Sequence, residues 1–178
     1  MPAIESKDFT LGEIFRDFYA VPDYQREFVW EEEEVDQLLT DIRREQADDN
    51  DAEYFIGSIV TCLNAGGRYE LIDGQQRMTT IFLAFCALRD RLRDLGESSV
   101  STIQNLIATE RVDANGEESR EPRIELQYED AGNLVQELVD ERKFTGKGST
   151  GQLSTCETRT VVFLISLARL GLRCINGL

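Results

Sequence analysis

The amino-acid sequence predicts an α+β domain in which a small mixed sheet with a hairpin packs against a central buried helix and flanking helices. Three observations indicate this class: a helical apolar period after Glu31, an apolar β-rich run at 54–62 and a densely apolar helical run at 79–93. With 178 residues and 41% apolar content, the chain can bury a core without disulfide or metal staples.

The first predicted element is a strand edge that leads into a short helix within residues 9–18, where apolar side chains occur at mixed spacing. Residues 19–26 are predicted to form a loop, because Pro22 favours an extended conformation for the residue before it. An amphipathic helix then begins near Glu31, since four glutamates complement the positive end of a helix dipole. Its buried face is predicted to contain Val35, Leu38, Leu39 and Ile42.

A hairpin and a buried helix are predicted next. Two β-rich runs, residues 54–62 and 68–72, are separated by the turn-forming sequence Asn-Ala-Gly-Gly and are predicted to pair as antiparallel strands. The segment from Thr79 or Thr80 to Arg93 has too many apolar positions for a one-sided surface helix. It is predicted to be the central buried helix.

The second half of the domain has weaker patterns. Residues 96–122 are polar, with one helical piece predicted around 100–108. Alternating apolar residues predict a strand over 123–128, and Asp130 is predicted to cap a helix that follows it.

The chain is predicted to divide into one domain, residues 1–142, and a linker with a C-terminal helical segment, residues 143–178. The glycine-rich stretch 146–151 lacks the order of a phosphate-binding P-loop, so a flexible linker is favoured. The apolar run within residues 160–178 leaves two alternatives open: a core helix, or a helix that docks on a partner or on a further domain.

The composition excludes several kinds of chemistry. Histidine is absent, which removes the usual general base and any HNH nuclease motif. The four cysteines form no C-x-x-C pair, so reduced thiols are predicted. No apolar run approaches the ~20 residues that a membrane-spanning helix needs, and no signal peptide is recognisable, so we expect a cytoplasmic protein without a membrane partner.

The net charge of −15 is concentrated in residues 1–55, which hold 17 acidic and 5 basic side chains. Such a surface repels a DNA backbone unless a basic groove lies elsewhere or another domain supplies one. Charge alone does not identify the partner.

The strongest candidate site is the loop Asp73-Gly74-Gln75-Gln76-Arg77, predicted between a strand and a helix. Unpaired N–H groups at a helix start bind phosphate, and Gly74 allows close approach. We expect Asp73, Gln75, Gln76 and Arg77 to be catalytic: Arg77 clamps phosphate, the glutamines orient a water, and Asp73 is a base or a ligand of nucleotide-bound Mg²⁺. The alternative is an ordinary capped turn with a surface ion pair.

A second polar cluster, Tyr24-Gln25-Arg26, combines groups that suit a nucleobase or a phosphate. Alternatively, its aromatic residue packs with Phe28 and Trp30 against the following helix. We expect the two loops to face each other across one cleft, with Gly57 or Ser58 on the strand between them. The predicted nucleotide-binding residues are Tyr24, Gln25, Arg26, Gly57, Ser58, Gly74, Thr79 and Thr80.

Four sequence blocks carry a family resemblance. They are V-P-D-Y-Q-R-E-F-V-W at 21–30, E-V-D-Q-L-L-T-D-I at 34–42, Y-F-I-G-S-I-V at 54–60 and L-I-D-G-Q-Q-R-M-T-T-I at 71–81. In this order they resemble the N-terminal domain of GmrSD-type restriction enzymes, which has a ParB/sulfiredoxin-like fold. The resemblance extends from Phe9 to Asp94, continues weakly through 121–130 and is lost after Arg142.

This resemblance implies that residues 73–77 bind and hydrolyse a nucleoside triphosphate, GTP, CTP, UTP or ATP, together with Mg²⁺. It further implies a regulatory role in restriction of modified phage DNA, with the nuclease on a downstream or partner domain. The alternative is a non-catalytic ParB-like module that binds DNA or senses its modification, in which residues 24–26 contact DNA. A nuclease site within this chain is the least favoured reading, because no cluster of metal-binding carboxylates is evident. The preferred nucleotide, the modification and the oligomeric state are not predicted.

Overall fold

The computed structural model describes residues 5–48, 53–112, 115–128 and 131–140. Helices in this part of the chain are α1 (Leu11–Ile14), α2 (Glu32–Asp48), α3 (Gln75–Leu95), α4 (Val100–Ile107) and α5 (Ala131–Val139). The strands are β1 (Tyr19–Val21), β2 (Val60–Leu63), β3 (Tyr69–Asp73), β4 (Ala108–Val112), β5 (Glu118–Pro122) and β6 (Ile124–Leu126). The predicted cap at Asp130 and the predicted linker and helix of residues 143–178 lie outside the described residues.

The predicted α+β class with a small mixed sheet is confirmed. The strand order is β2-β3-β1-β6, with β2 antiparallel to β3 and with β3, β1 and β6 parallel to one another. The β2–β3 pair is the predicted hairpin. Strands β4 and β5 form a separate antiparallel pair.

The parallel strands define two opposite edges of the sheet. Tyr19 of β1 lies in register with Tyr69 of β3 and with Ile124 of β6. Residues that follow β1 and β3 therefore meet at the carboxyl edge, which includes the loop 73–77. Residues that directly precede the three strands meet at the amino edge.

Helix α3 is the central buried helix that the sequence predicts. Its 21 residues carry Met78 and Phe82 into the core, where Leu71 of β3 and Ile124 of β6 are also fully enclosed. The face of α2 that contains Val35 and Leu38 is buried as predicted, and Leu39 and Ile42 are partly buried against the same core. Helix α4 also lies where the sequence predicts a helical piece.

Arg89 of α3 is a buried charged side chain that fastens α5 to the core. Its guanidinium donates to the carbonyl oxygens of Leu138 and Val139, at 2.8 and 3.5 Å, and contacts the carboxylate of Asp90 at 2.8 Å. Cationic donors at a helix C-terminus satisfy its unpaired carbonyls. The burial of Arg89 is therefore compensated by hydrogen bonds, and the residue has a structural role.

Two predictions about the N-terminal segment are wrong. Residues 9 and 10 do not form a strand edge, because Thr10 and Glu13 form a capping box that starts the helix directly at Leu11. Residues 19–21, predicted to belong to a loop, form the buried strand β1 instead. This strand is three residues long, and its hydrogen-bond partners on both sides come from distant parts of the chain, so its sequence alone carries little signal.

Two boundaries in the middle of the chain differ from the prediction. Strand β2 begins only at Val60, so Gly57 and Ser58 lie in an irregular segment before it. Helix α3 begins at Gln75, because Gly74 adopts the left-handed conformation and takes the N-cap position. Thr79 and Thr80 are therefore one turn inside the helix and buried, instead of at its start.

The β4–β5 pair within the polar stretch 96–122 was not predicted, since its strands are mostly exposed and lack an apolar alternation.

Candidate functional site

The junction between β3 and α3 forms a helix N-terminus without a side-chain cap. Asp73 ends the strand, Gly74 turns the chain with φ +87°, and α3 starts at Gln75 without a side-chain cap and without an acidic residue in its first turn. The partial positive charge of the helix end is therefore not balanced by a group within the helix. The side chain of Asp73 is exposed next to it.

Gln76 uses both ends of its amide to hold the loop after β1. Its Oε1 accepts hydrogen bonds from the backbone N–H groups of Val29 and Trp30, at 2.9 and 3.2 Å, and its Nε2 donates to the carbonyl of Glu27 at 3.1 Å. The side chain is buried. Gln76 is thus an anchor of the residues 27–30, with its hydrogen-bonding capacity largely used inside the protein.

Gln75 differs from its neighbour in one respect that concerns ligand binding. Its Nε2 donates to the carbonyl of Arg26 at 3.0 Å, but its Oε1 is buried and has no hydrogen-bond partner among the described residues. Only 8% of the residue is exposed. A buried acceptor without a donor is costly. Gln75 therefore offers an oriented acceptor at the first position of α3.

The side chain of Arg77 holds the irregular segment that precedes β2. Nη1 donates to the carbonyl of Ile56 at 2.8 Å and Nη2 donates to the carbonyl of Ser58 at 3.0 Å. Between them, Gly57 has φ +98°, and a Cβ atom there would collide with the Arg77 guanidinium. The planar fork of an arginine suits this two-carbonyl contact. Arg77 thus fixes residues 56–58 beside the start of α3.

The loop after β1 reaches the same place from the neighbouring strand. Gln25 Nε2 donates to the carbonyl of Ile72 at 3.4 Å, next to Asp73. Tyr24 and Arg26 are exposed, and the hydroxyl of Tyr24 lies 3.5 Å from the carboxylate of Glu70. Desolvation and that carboxylate raise the pKa of Tyr24. The hydroxyl of Tyr24 thus donates to Glu70, while its exposed ring can stack on a planar group.

The structure thus brings the two predicted loops together, through direct hydrogen bonds of Gln25, Gln75 and Gln76. Gly57 and Ser58 were expected on a strand between these loops, but their segment leads into β2, which lies on the opposite side of β3 from β1. Thr79 and Thr80 belong to the buried interior of α3, where the hydroxyl of Thr80 lacks a hydrogen-bond partner within the described residues.

The described residues contain no group of three or more side chains that could hold a metal ion by themselves. A carboxylate plus the phosphates of a substrate is, however, the usual environment of Mg²⁺. The exposed carboxylate of Asp73 suits the second of these environments, in which substrate phosphates supply other ligands.

The sequence was compared with family models and with curated proteins. Residues 8–158 match the model described as GmrSD restriction endonuclease, N-terminal domain. This chain belongs to the GmrSD N-terminal domain family. No curated protein matches it.

In this GmrSD N-terminal domain, the matched region includes both loops of the candidate site. The family places the chain in a restriction or phage-defence system. Within the described residues, no helix has both the length and the apolar character needed to cross a membrane.

Two features of the GmrSD N-terminal domain were not recognisable from the sequence. The first is the backbone of residues 26–30, which forms hydrogen bonds with the side chains of Gln75 and Gln76. These residues carry no sequence signal for that contact, and only the family pattern links their block to the 71–81 block. A group of arginines at the amino edge comes from separate parts of the chain, so no local run of basic residues marks it. These arginines are Arg68, Arg111, Arg120 and Arg123.

Proposed function

We propose that this GmrSD N-terminal domain binds and hydrolyses a nucleoside triphosphate at the N-terminus of α3, as the regulatory part of a restriction system that acts on modified DNA. The observation that carries the proposal is the uncapped start of α3. There, the buried Oε1 of Gln75 has no partner among the described residues, and the exposed carboxylate of Asp73 lies beside it. The ParB/sulfiredoxin-like fold is part of the proposal, and parallel strands that end at such a helix start are consistent with it.

The chemistry assigned to each group follows from its contacts. The N–H groups of the first turn of α3 bind the triphosphate. Gly74 supplies the left-handed turn into α3 and packs closely against Ser58 and Ile59. Gln75 Oε1 accepts a hydrogen bond from the attacking water, while its Nε2 stays bonded to Arg26 and keeps the amide oriented. Asp73 ligates the nucleotide-bound Mg²⁺ or removes a proton from that water. When bound, Mg²⁺ supplies neutralisation of the phosphate charge.

Gln76 and Arg77 act as positioning residues in this proposal, because their described hydrogen bonds go to the protein backbone. Gln76 fixes the loop 24–30, from which Tyr24 contacts the base and Arg26 the phosphates. Arg77 fixes Gly57 and Ser58 on the side of α3's start that faces β2. Replacing either residue is expected to change the shape of the site without removing a group that takes part in the chemical step.

The proposal extends to the partners and the location of the domain. DNA is reached through a nuclease domain that lies downstream or on a partner chain, and the domain works in the cytoplasm, where phage DNA is encountered. The alternative function is a ParB-like DNA-binding or modification-sensing module that uses nucleotide as a clamp without turnover.

Steady-state phosphate release tests the proposal. GTP, CTP, UTP and ATP are each supplied with Mg²⁺, with and without DNA, to the parent protein and to Asp73→Asn. Asp36→Asn, an exposed carboxylate on α2, is the matched control. We expect at least one nucleotide to be hydrolysed, with turnover reduced about hundredfold in Asp73→Asn and unchanged in the control. Nucleotide binding without release of phosphate would favour the clamp, and absence of binding to all four would exclude the nucleotide site.

A further inference from the structure

The amino edge of the parallel strands gathers an aromatic ring and two arginines. Phe18, Arg68 and Arg123 directly precede β1, β3 and β6. Tyr69 N–H donates to the carbonyl of Phe18, and Tyr19 N–H donates to the carbonyl of Arg123, both at 2.8 Å. The three residues are therefore neighbours across the sheet, held by its backbone hydrogen bonds.

A third arginine, Arg111 of β4, joins this group. The guanidinium carbons of Arg68, Arg111 and Arg123 lie 5.3, 5.9 and 4.6 Å from the centre of the Phe18 ring. Each distance is within the range of a cation–π contact. Three guanidinium groups thus converge on one ring in a protein whose net charge is −15.

Beside this ring lies a groove of about 510 Å³ between the sheet, the β4–β5 pair and α5. Such a volume is typical of small-molecule sites. Its charged lining consists of Arg68, Arg111, Arg120, Glu121 and Glu125, and the apolar lining includes Pro122, Ile124 and Val135. We call it the arginine groove.

Two arginines of the arginine groove share one carboxylate. One carboxylate, Glu121, forms ion pairs with both Arg68 and Arg111, and Glu125 lies 3.5 Å from Arg68. In addition, Nη1 of Arg68 is buried and has no hydrogen-bond partner in the described part of the chain. An oxygen atom of a bound anion would satisfy that donor.

We propose that the arginine groove binds a phosphate group, carried by a free nucleotide or by a DNA strand. Guanidinium forks match phosphate oxygens in geometry and charge. The groove lies at the opposite end of β3 from the loop 73–77, and five strand residues span about 16 Å. It is therefore separate from the proposed hydrolytic site. It also concentrates guanidinium donors at one place on an acidic domain.

A purely structural role makes a different prediction. The same ion pairs connect the segment before β3 to β4, β5 and β6, so they could serve only to fasten the β4–β5 pair to the sheet. In that case, replacing a groove arginine changes the thermal stability and leaves the affinity for phosphate compounds unaltered. Affinity and stability must therefore be measured on the same variants.

The test uses Arg111→Gln, since the Arg111 side chain is 62% exposed and its loss should leave the fold intact. The matched control is Arg44→Gln, which removes the same charge from an exposed position on α2. The two probes are a deoxynucleoside monophosphate, followed by calorimetry, and a labelled duplex DNA of ~20 base pairs, followed by anisotropy at low and moderate salt. Thermal melting of each full-length variant verifies folding.

We expect Arg111→Gln to weaken binding of one probe about tenfold, while Arg44→Gln and the melting temperatures stay unchanged. Loss confined to the monophosphate identifies a free nucleotide as the ligand, and loss confined to the duplex identifies the DNA backbone. Equal affinities for Arg111→Gln and the parent, equal weakening by the control variant, or no binding of either probe would overturn the proposal. Asp73→Asn should leave the Arg111-dependent binding intact, so this proposal and the hydrolytic one can fail separately.

Discussion

The guanidinium of Arg77 occupies the space that a side chain at position 57 would need. Gly57 has a positive φ, and the carbonyls on both sides of it accept hydrogen bonds from the two terminal nitrogens of Arg77. This contact links the family blocks 54–60 and 71–81 in three dimensions. It explains why a glycine stands in an otherwise apolar β-rich run.

Gly57→Ala should therefore destabilise the domain more than an ordinary glycine replacement. Gly67 is the matched control, because it also has a positive φ, +78°, but a Cβ added there would meet no other atom within 4 Å. We expect Gly67→Ala to lower the free energy of unfolding by about 1 kcal/mol through backbone strain alone. Gly57→Ala should lower it by about 3 kcal/mol, because the Arg77 hydrogen bonds are lost as well. Urea denaturation measures both, and equal losses would contradict the proposed contact.

Arg77→Lys tests the importance of the two-carbonyl fork. A lysine keeps the charge but cannot reproduce the planar pair of donors that reaches Ile56 and Ser58. We expect nucleotide affinity to fall about tenfold, because the segment 56–58 is released beside the site. Calorimetric titration with the preferred triphosphate measures this. An affinity equal to that of the parent would show that neither the fork nor the segment it holds contributes to binding.

Replacement of Gln76 should mainly lower the stability of the domain, whereas replacement of Gln75 should mainly lower its turnover. Gln76→Leu leaves two N–H groups and one carbonyl of the loop without partners, so we expect a loss of about 3 kcal/mol in the free energy of unfolding. Gln75→Leu removes one hydrogen bond, to Arg26, and should cost about 1 kcal/mol. Its turnover, however, should fall about hundredfold.

Denaturation curves and phosphate release, measured on both glutamine variants, separate these effects. Intact turnover in Gln75→Leu would remove its Oε1 from the mechanism. Unchanged stability in Gln76→Leu would show that the loop 27–30 is held by other contacts. The emission of Trp30, whose backbone N–H donates to Gln76, reports directly on that loop.

The cysteines should differ in their reactivity toward alkylating reagents. Cys86 is buried in α3, and burial raises its pKa to about 12, so the reactive thiolate is scarce below that pH. Cys62 on β2 is exposed. We expect iodoacetamide under mildly alkaline conditions to label Cys62 in the folded protein and Cys86 only after denaturation. Peptide mass mapping identifies each site, and rapid labelling of Cys86 in the native protein would contradict its burial.

Local patterns sufficed where one segment determines its own structure. The apolar period of α2 depends on a face repeated within a single helix, and the hairpin of β2 and β3 joins neighbours through a short turn. The dense apolar content of α3 similarly reflects burial on most of its sides. In each case, the signal and its structural cause lie within a few residues of each other.

Residue patterns alone were thus enough to establish the α+β class, α2, the hairpin, the buried α3 and the family to which residues 8–158 belong. Only the three-dimensional arrangement shows that residues 19–21 form a strand, because their partners include Tyr69 and Ile124, which lie far away in the chain. The same is true of the difference between Gln75 and Gln76. Two identical side chains are equivalent in a motif, but Gln76 faces three backbone groups, whereas Gln75 keeps an acceptor without a donor among the described residues. Hydrogen-bond satisfaction depends on what surrounds an atom, and a local sequence motif does not specify those surroundings.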